Sequence, residues 1–242
     1  MGAALGWGSV AASPLVLGAV LGIARTWPGR LVGLVLAFGA GALISAVSFE
    51  LAAQGIVEAG TRPVALGLAA GALTYFVCDL VIERRAPSGR AGARVAGAEA
   101  GVALALGAFL DGIPEQFVLG IGLAAGEGVG IGLLVAIFVS NLPEAIGSAS
   151  GMRAAGHPPS RIAALWIGVA ALCALATVAG YALADATAGT FKGAVNGFAA
   201  GALLVMLIDS MIPEGTAKSG RIAGLAATLG FALATGLSAV TA

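Results

Sequence analysis

Apolar runs long enough to cross a lipid bilayer occupy almost the whole chain, and nothing else in the sequence constrains the fold so strongly. A span needs roughly 20 apolar residues, and stretches at about 8–24, 31–52, 63–82, 98–125, 128–151, 161–184, 191–212 and 220–241 satisfy that need. Within hydrocarbon every backbone N–H and C=O has to find a partner inside the protein, so such runs are read as helices. The expected fold is an all-α polytopic membrane protein with eight transmembrane helices, forming a single domain over residues 1–242. Composition agrees: 59% of residues are hydrophobic and 10% charged, where soluble domains carry about 25% charged residues. Mean hydropathy is +1.02. The longest polar segment runs only from Glu83 to Arg94, which leaves no soluble domain. The first run sits where a secretory signal would, but it lacks a basic n-region and is followed by Arg25 and Arg30, so it reads as a span.

The basic residues orient the bundle. Arg25, Arg30, Arg84, Arg85, Arg90, Arg94, Arg153, Arg161, Lys218 and Arg221 fall on one side of the predicted spans; Arg62 and Lys192 fall on the other. Cytoplasmic loops are the ones enriched in Lys and Arg, so both termini are expected outside the cytoplasm, in a multi-pass protein of the cytoplasmic membrane. A missed or invented helix would destroy the alternation, which supports the count of eight.

Glycine is abundant, 39 of 242 residues, and is spread through the apolar runs. Gly18/Gly22, Gly67/Gly71, Gly97/Gly101, Gly128/Gly132, Gly147/Gly151 and Gly197/Gly201 are each four apart. That spacing puts small residues on one helix face and lets backbones approach. So Gly-rich a chain produces such pairs by chance as well, so they argue for tight packing and for no particular interface.

Several chemistries find no support. The net charge is zero and no basic run is interleaved with aromatics, so nucleic acid is not an expected partner. Cys78 and Cys173 lie in apolar runs without a CxxC partner and read as small hydrophobes. The single histidine, His157, sits in a short Gly-His-Pro-Pro loop and reads as solvated. No Ser/His/Asp set, phosphate-cradling loop or HExxH is present, so the chain does not read as an enzyme, and no cofactor is expected.

What remains is acid inside the membrane. Asp111-Gly-Ile-Pro-Glu-Gln116 and Ser140-Asn-Leu-Pro-Glu-Ala145 place a Pro-Glu pair on each of two consecutive predicted spans. Asp111 and Glu115 are four apart, as are Ser140 and Glu144, so each pair shares a helix face, and Asn141 lies three before Glu144. Were the two helices neighbours, these faces would gather three carboxylates, a carboxamide and a hydroxyl. Carboxylates crowded at low dielectric either share protons or hold a cation, and oxygen ligands of this kind bind divalent metals. Pro114 and Pro143 would each release the carbonyl four residues earlier, at Leu110 and Val139, as a further ligand. An ordinary proline kink, its carboxylate bonded to a neighbouring Ser, Asn or Gln, explains one such helix equally well. The repetition on two successive helices favours a site. Ionisable residues within spans generally mark ion or proton paths. Glu50, Asp79 and Glu99 lie at or near predicted span ends, and Asp209 and Glu214 flank Pro213 near the end of the seventh.

In these motifs the chain resembles the ZIP (Zrt/Irt-like) family of divalent-metal transporters. The family's fourth span carries His-Asn-x-Pro-Glu-Gly and its fifth a related x-x-x-Pro-Glu, which correspond here to residues 111–116 and 140–145. The seventh span, with Gly197-Phe-Ala-Ala-Gly-Ala-Leu-Leu-Val and Ile212-Pro-Glu214, is similar to the family's seventh. The second, around Phe38-Gly-Ala-Gly-Ala-Leu and Phe49-Glu-Leu, is similar to its second. The resemblance covers essentially the whole chain. It implies a 3+2+3 bundle, with spans 1–3 and 6–8 as inverted repeats enclosing spans 4 and 5, and a carrier of Zn, Fe, Mn or similar ions toward the cytoplasm through an elevator-like movement. A site at the junction of repeats also fits the general logic of secondary transporters.

The motifs depart from the family's. Asp111 stands where the family has His, Gly112 where it has Asn, and Gln116 where it has Gly. Ser140 and Asn141 occupy the leading ligand positions of the fifth span. No acid lies between Glu144 and Asp185, although many members have a Glu in span 6; counting from Trp166 brings Cys173 near that position. Ser210 next to Asp209 stands where members often have an acid just before the span-7 Pro-Glu.

By the resemblance, the metal-binding residues expected here are Asp111, Glu115 and Glu144, with Asn141 and Ser140 completing or orienting the shell. Carboxylates without imidazole shift preference toward harder ions such as Mn or Mg, although raw affinity still favours zinc. Entry of Cys173 into the site would bring softer metals back. The reading is a secondary carrier with a divalent metal as substrate and membrane lipid as surroundings. Nothing marks the surface of a homodimer, which stays open. Two other readings are a proton or small-organic-cation transporter on the same scaffold, and a non-transporting sensor or partner subunit.

Overall fold

The computed structural model describes residues 1–25, 27–85, 112–124, 126, 131–154, 156–184 and 189–241, and all regular structure among them is helical. The helices are α1 (Gly2–Ala24), α2 (Gly29–Ala59), α3 (Thr61–Arg85), α4 (Gly112–Ala124), α5 (Ile131–Ala154), α6 (Pro159–Leu183), α7 (Thr190–Ser219) and α8 (Ile222–Thr241). Six of them are long and apolar enough to cross a membrane, and α4 and the Ile222–Leu237 part of α8 are shorter apolar helices. Residues 86–111 lie outside the described set; they include Glu99, Asp111 and most of the polar segment after the third span.

Turn chemistry sets the helix ends. Gly60 (φ 85°) closes α2 and Gly220 (φ 66°) closes α7, a left-handed conformation that glycine adopts without strain. Pro28 precedes α2, and Pro158 and Pro159 open α6, where a missing N–H costs nothing. Two helices run further than hydropathy suggested. The second was expected to stop near residue 52 but continues to Ala59, so Glu50 lies inside a helix rather than at its end. The seventh was expected to stop near 212 but runs through Pro213 to Ser219. Both contain a stretch of wider π-helix, Ala46–Ala53 in α2 and Leu207–Met211 in α7. Such wide turns are often found at functional sites.

The exterior is apolar and the interior small. Leu66 and Leu73 on α3 and Leu225, Leu229 and Leu233 on α8 are exposed, as expected of faces bathed in lipid rather than water. Helix contacts inside are made by glycine. Gly67 and Gly71 of α3 rest on the Ala194 and Phe198 carbonyls of α7, and Gly197 and Gly201 of α7 rest on the Val64 and Leu68 carbonyls of α3. A Cβ at Gly18 of α1 would stand 2.6 Å from the Leu142 carbonyl oxygen of α5, and one at Gly22 would stand 2.7 Å from that of Ile146. Three of the four-apart glycine pairs thus have a specific partner helix, contrary to the expectation that they mark none. Gly147 and Gly151 have no such close neighbour.

The pairing α3 with α7 has a counterpart in α8 with α2, and α1 packs on both α5 and α6. The counterpart is exact in register to within one residue. Phe38-Gly-Ala-Gly-Ala-Leu43 and Phe198-Ala-Ala-Gly-Ala-Leu203 are 160 positions apart. Gly33 faces the Gly215 carbonyl, while Gly193 faces that of Gly55. Gly230 rests on the Phe38 carbonyl as Gly71 rests on that of Phe198.

Several polar side chains within the helices are satisfied locally or across crossings. Thr74, Thr216 and Thr228 donate their hydroxyls to carbonyls one turn back, at Ala70, Ile212 and Gly224. Ser45 and Thr235 bond across α2 and α8 at 2.8 Å. Glu58 at the end of α2 pairs with Lys192 at the start of α7 at 2.9 Å, both partly exposed. Exposed pairs contribute little, so Glu58→Gln is expected to change the unfolding midpoint in detergent by less than about 3 °C, corresponding to under ~1 kcal/mol.

Candidate functional site

Two hydrophobic clusters frame the motif helices. Val118 and Leu119 of α4 and Leu133 and Ile137 of α5 belong to one cluster with Leu36 and Leu43 of α2 and Leu203 and Met206 of α7. A second cluster joins α1, α5 and α6 through Leu15, Ala145, Ala149, Trp166 and Cys173. The two helices that carry the Pro-Glu motifs therefore share a core.

On α4, Glu115 is 1% exposed and Gln116 is fully buried. Pro114 lies in α4, and Leu110, whose carbonyl it was expected to release, is outside the described residues. On α5, Pro143 lies well inside the helix. Ser140 and Asn141 are buried and Glu144 is half-buried. The Ser140 hydroxyl donates to the Ile137 carbonyl of its own helix at 3.1 Å, which leaves its lone pairs as the part able to face a ligand. The Ser140 backbone lies against α2, where a Cβ at Gly39 would come within 3.2 Å of its nitrogen. Glycine at that position lets the two backbones approach closely.

Burying a carboxylate without compensation is costly in any protein and costlier in lipid. Glu115 is held at that depth by the fold rather than reaching an interface. The Asn141 Nδ2 and Gln116 Nε2 donors are also buried, and neither has a hydrogen-bond partner among the described residues. Buried amides left in this condition call for a functional explanation.

Asp111 lies outside the described residues. Among the described residues no group of three or more His, Cys, Asp and Glu gathers as a metal site. Four expected ligands, Glu115, Ser140, Asn141 and Glu144, are thus placed on two helices of one cluster. Cys173 is fully buried, and its Sγ would stand 2.7 Å from a Cβ at Gly112. The thiol therefore packs against α4 at Gly112, about one turn from Glu115. Sequence reading missed Thr177, whose hydroxyl donates to Gln116 Oε1 at 2.6 Å. It also missed the wide turns in α2 and α7.

Helices that bury carboxylates and amides while exposing leucine define a polytopic α-helical membrane protein. No protein-family model matches the chain. A proposed zinc transporter of Arabidopsis thaliana is 30% identical over 186 residues, which is 75% of this chain. The chain spans 29% of the length of that plant protein.

Proposed function

We propose that this chain is a ZIP-like secondary carrier that moves a divalent cation, zinc or a similar ion, across the cytoplasmic membrane into the cell. The observation that carries the reading is the Pro-Glu motif repeated on α4 and α5, with Glu115 buried to 1% exposure in the core those helices share. Similarity to a proposed zinc transporter supports metal as the cargo. Glu115 and Glu144, with Asp111, would bind the ion, and Asn141 and Ser140 would complete or orient its shell.

The arrangement proposed is eight spans in a 3+2+3 bundle. Its support is the exchange of partners between the two ends of the chain: α3 with α7 matches α8 with α2, and α1 with α5 matches α6 with α4. Arg84, Arg85, Arg153 and Lys218 at helix ends support a cytoplasmic side for those ends, with both termini opposite.

The test is purified protein in liposomes, with Zn, Mn, Fe, Co, Cd and Mg presented in turn beside a Glu115→Ala/Glu144→Ala control. Flux of at least one metal, absent from the control, is expected. Folded protein that passes none of them would overturn metal transport and point to protons, an organic cation or a non-transporting role.

A further inference from the structure

Thr235 bonds across to Ser45 of α2, while Thr74, Thr216 and Thr228 return their hydroxyls to carbonyls of their own helices. Thr177 of α6 instead donates across the crossing to Gln116 Oε1 of α4 at 2.6 Å, and both residues are fully buried. The surrounding seam is rich in glycine. Gly112 faces Cys173 Sγ, Gly120 rests on the Thr177 carbonyl, and Gly180 rests on the Phe117 carbonyl. Thr177 also meets α1, where a Cβ at Gly8 would stand 2.8 Å from Thr177 Cβ and 2.9 Å from its Oγ1.

A seam built from glycine brings backbones close but offers few knobs to fix how far one helix has slid or turned against the other. Along it, Thr177–Gln116 is a directional contact. A slide of one helical turn, about 5.4 Å, would carry Gln116 out of reach. Glu115 is the preceding residue on the same turn, about 100° around the axis. Whatever fixes the height and rotation of Gln116 therefore fixes those of the Glu115 carboxylate.

We infer that the Thr177–Gln116 hydrogen bond is a positioning contact that sets Glu115 relative to α1 and α6, and so governs the affinity of the site for its cation. This rests on the transport reading above. Thr177 and Gln116 touch no ion in this scheme; they act through Glu115.

The experiment measures the concentration dependence of zinc and manganese uptake into proteoliposomes for the wild type, Thr177→Val, Thr177→Ser and the double variant Thr177→Val/Gln116→Leu. Valine keeps the shape and removes the hydroxyl. Thr177→Val is expected to raise KM about tenfold, and Thr177→Ser, which keeps the donor, to stay within about threefold of wild type. The double variant removes both polar partners, so its thermal stability should recover while KM stays high. Recovery of KM together with stability would reduce the contact to a structural one and overturn the inference. So would a Thr177→Val KM indistinguishable from wild type. Wild-type protein without metal flux overturns the transport reading and this inference with it; wild-type flux with an unaltered Thr177→Val overturns the inference alone.

Discussion

Glu115→Gln abolishes metal uptake, by at least about a hundredfold, while leaving the protein folded; this is the expected result with the largest functional effect. The side chain is 1% exposed, and glutamine matches it in size, so packing around it changes little. The negative charge is what disappears. A cation entering a low-dielectric site with one carboxylate fewer keeps its desolvation penalty and loses a charged partner, a difference of roughly 3–5 kcal/mol for a broken buried pair. At about 1.4 kcal/mol per tenfold, that is roughly two to three and a half orders of magnitude in affinity. Glu144→Gln should act in the same direction. Its half-burial leaves more room for water to take over, and the loss should be smaller. Uptake assays on variants shown monodisperse by size exclusion would decide the matter. Undiminished flux in Glu115→Gln would remove α4 from the transport site.

The largest effect on stability is expected where two backbones touch. In Gly201→Leu the new side chain would collide with the Leu68 carbonyl of α3, and a backbone carbonyl cannot turn aside as a flexible side chain can. Overpacking of this kind costs about 3 kcal/mol or more, which for a chain of this size lowers the unfolding midpoint by roughly 6–12 °C. Gly224→Leu is the matched control. That glycine has open space around it and is exposed on α8, so leucine there should be neutral or raise stability by about 1 kcal/mol through helix propensity. Thermal unfolding in a single detergent compares the two directly. Equal midpoints would show that the α3–α7 crossing tolerates separation and that glycine is not what holds it.

The two Pro-Glu motifs of the candidate site were legible in the sequence. Proline and glutamate inside an apolar run are both unfavourable there, so their joint recurrence at 114–115 and 143–144 stands out against a background that excludes them. Thr177 was not legible. A threonine in a membrane helix ordinarily satisfies itself on its own backbone, and no pattern in one sequence says which will reach across to another helix. Helix length was misjudged for the same kind of reason: hydropathy stops at the first polar residues, whereas α2 and α7 continue past Glu50 and Pro213 by widening into π-helix.

By itself the sequence determined that the chain is helical and lies in a membrane, because apolar runs of that length leave the backbone no other way to satisfy its hydrogen bonds. It also determined which carboxylates are candidates, because so few are placed inside those runs. Which helix each glycine approaches, and that α4 and α5 share a core with α2 and α7, was decided only by the tertiary structure. Small residues permit close contact with any partner. The choice among partners belongs to the packed bundle as a whole, where each crossing limits the space left for the others.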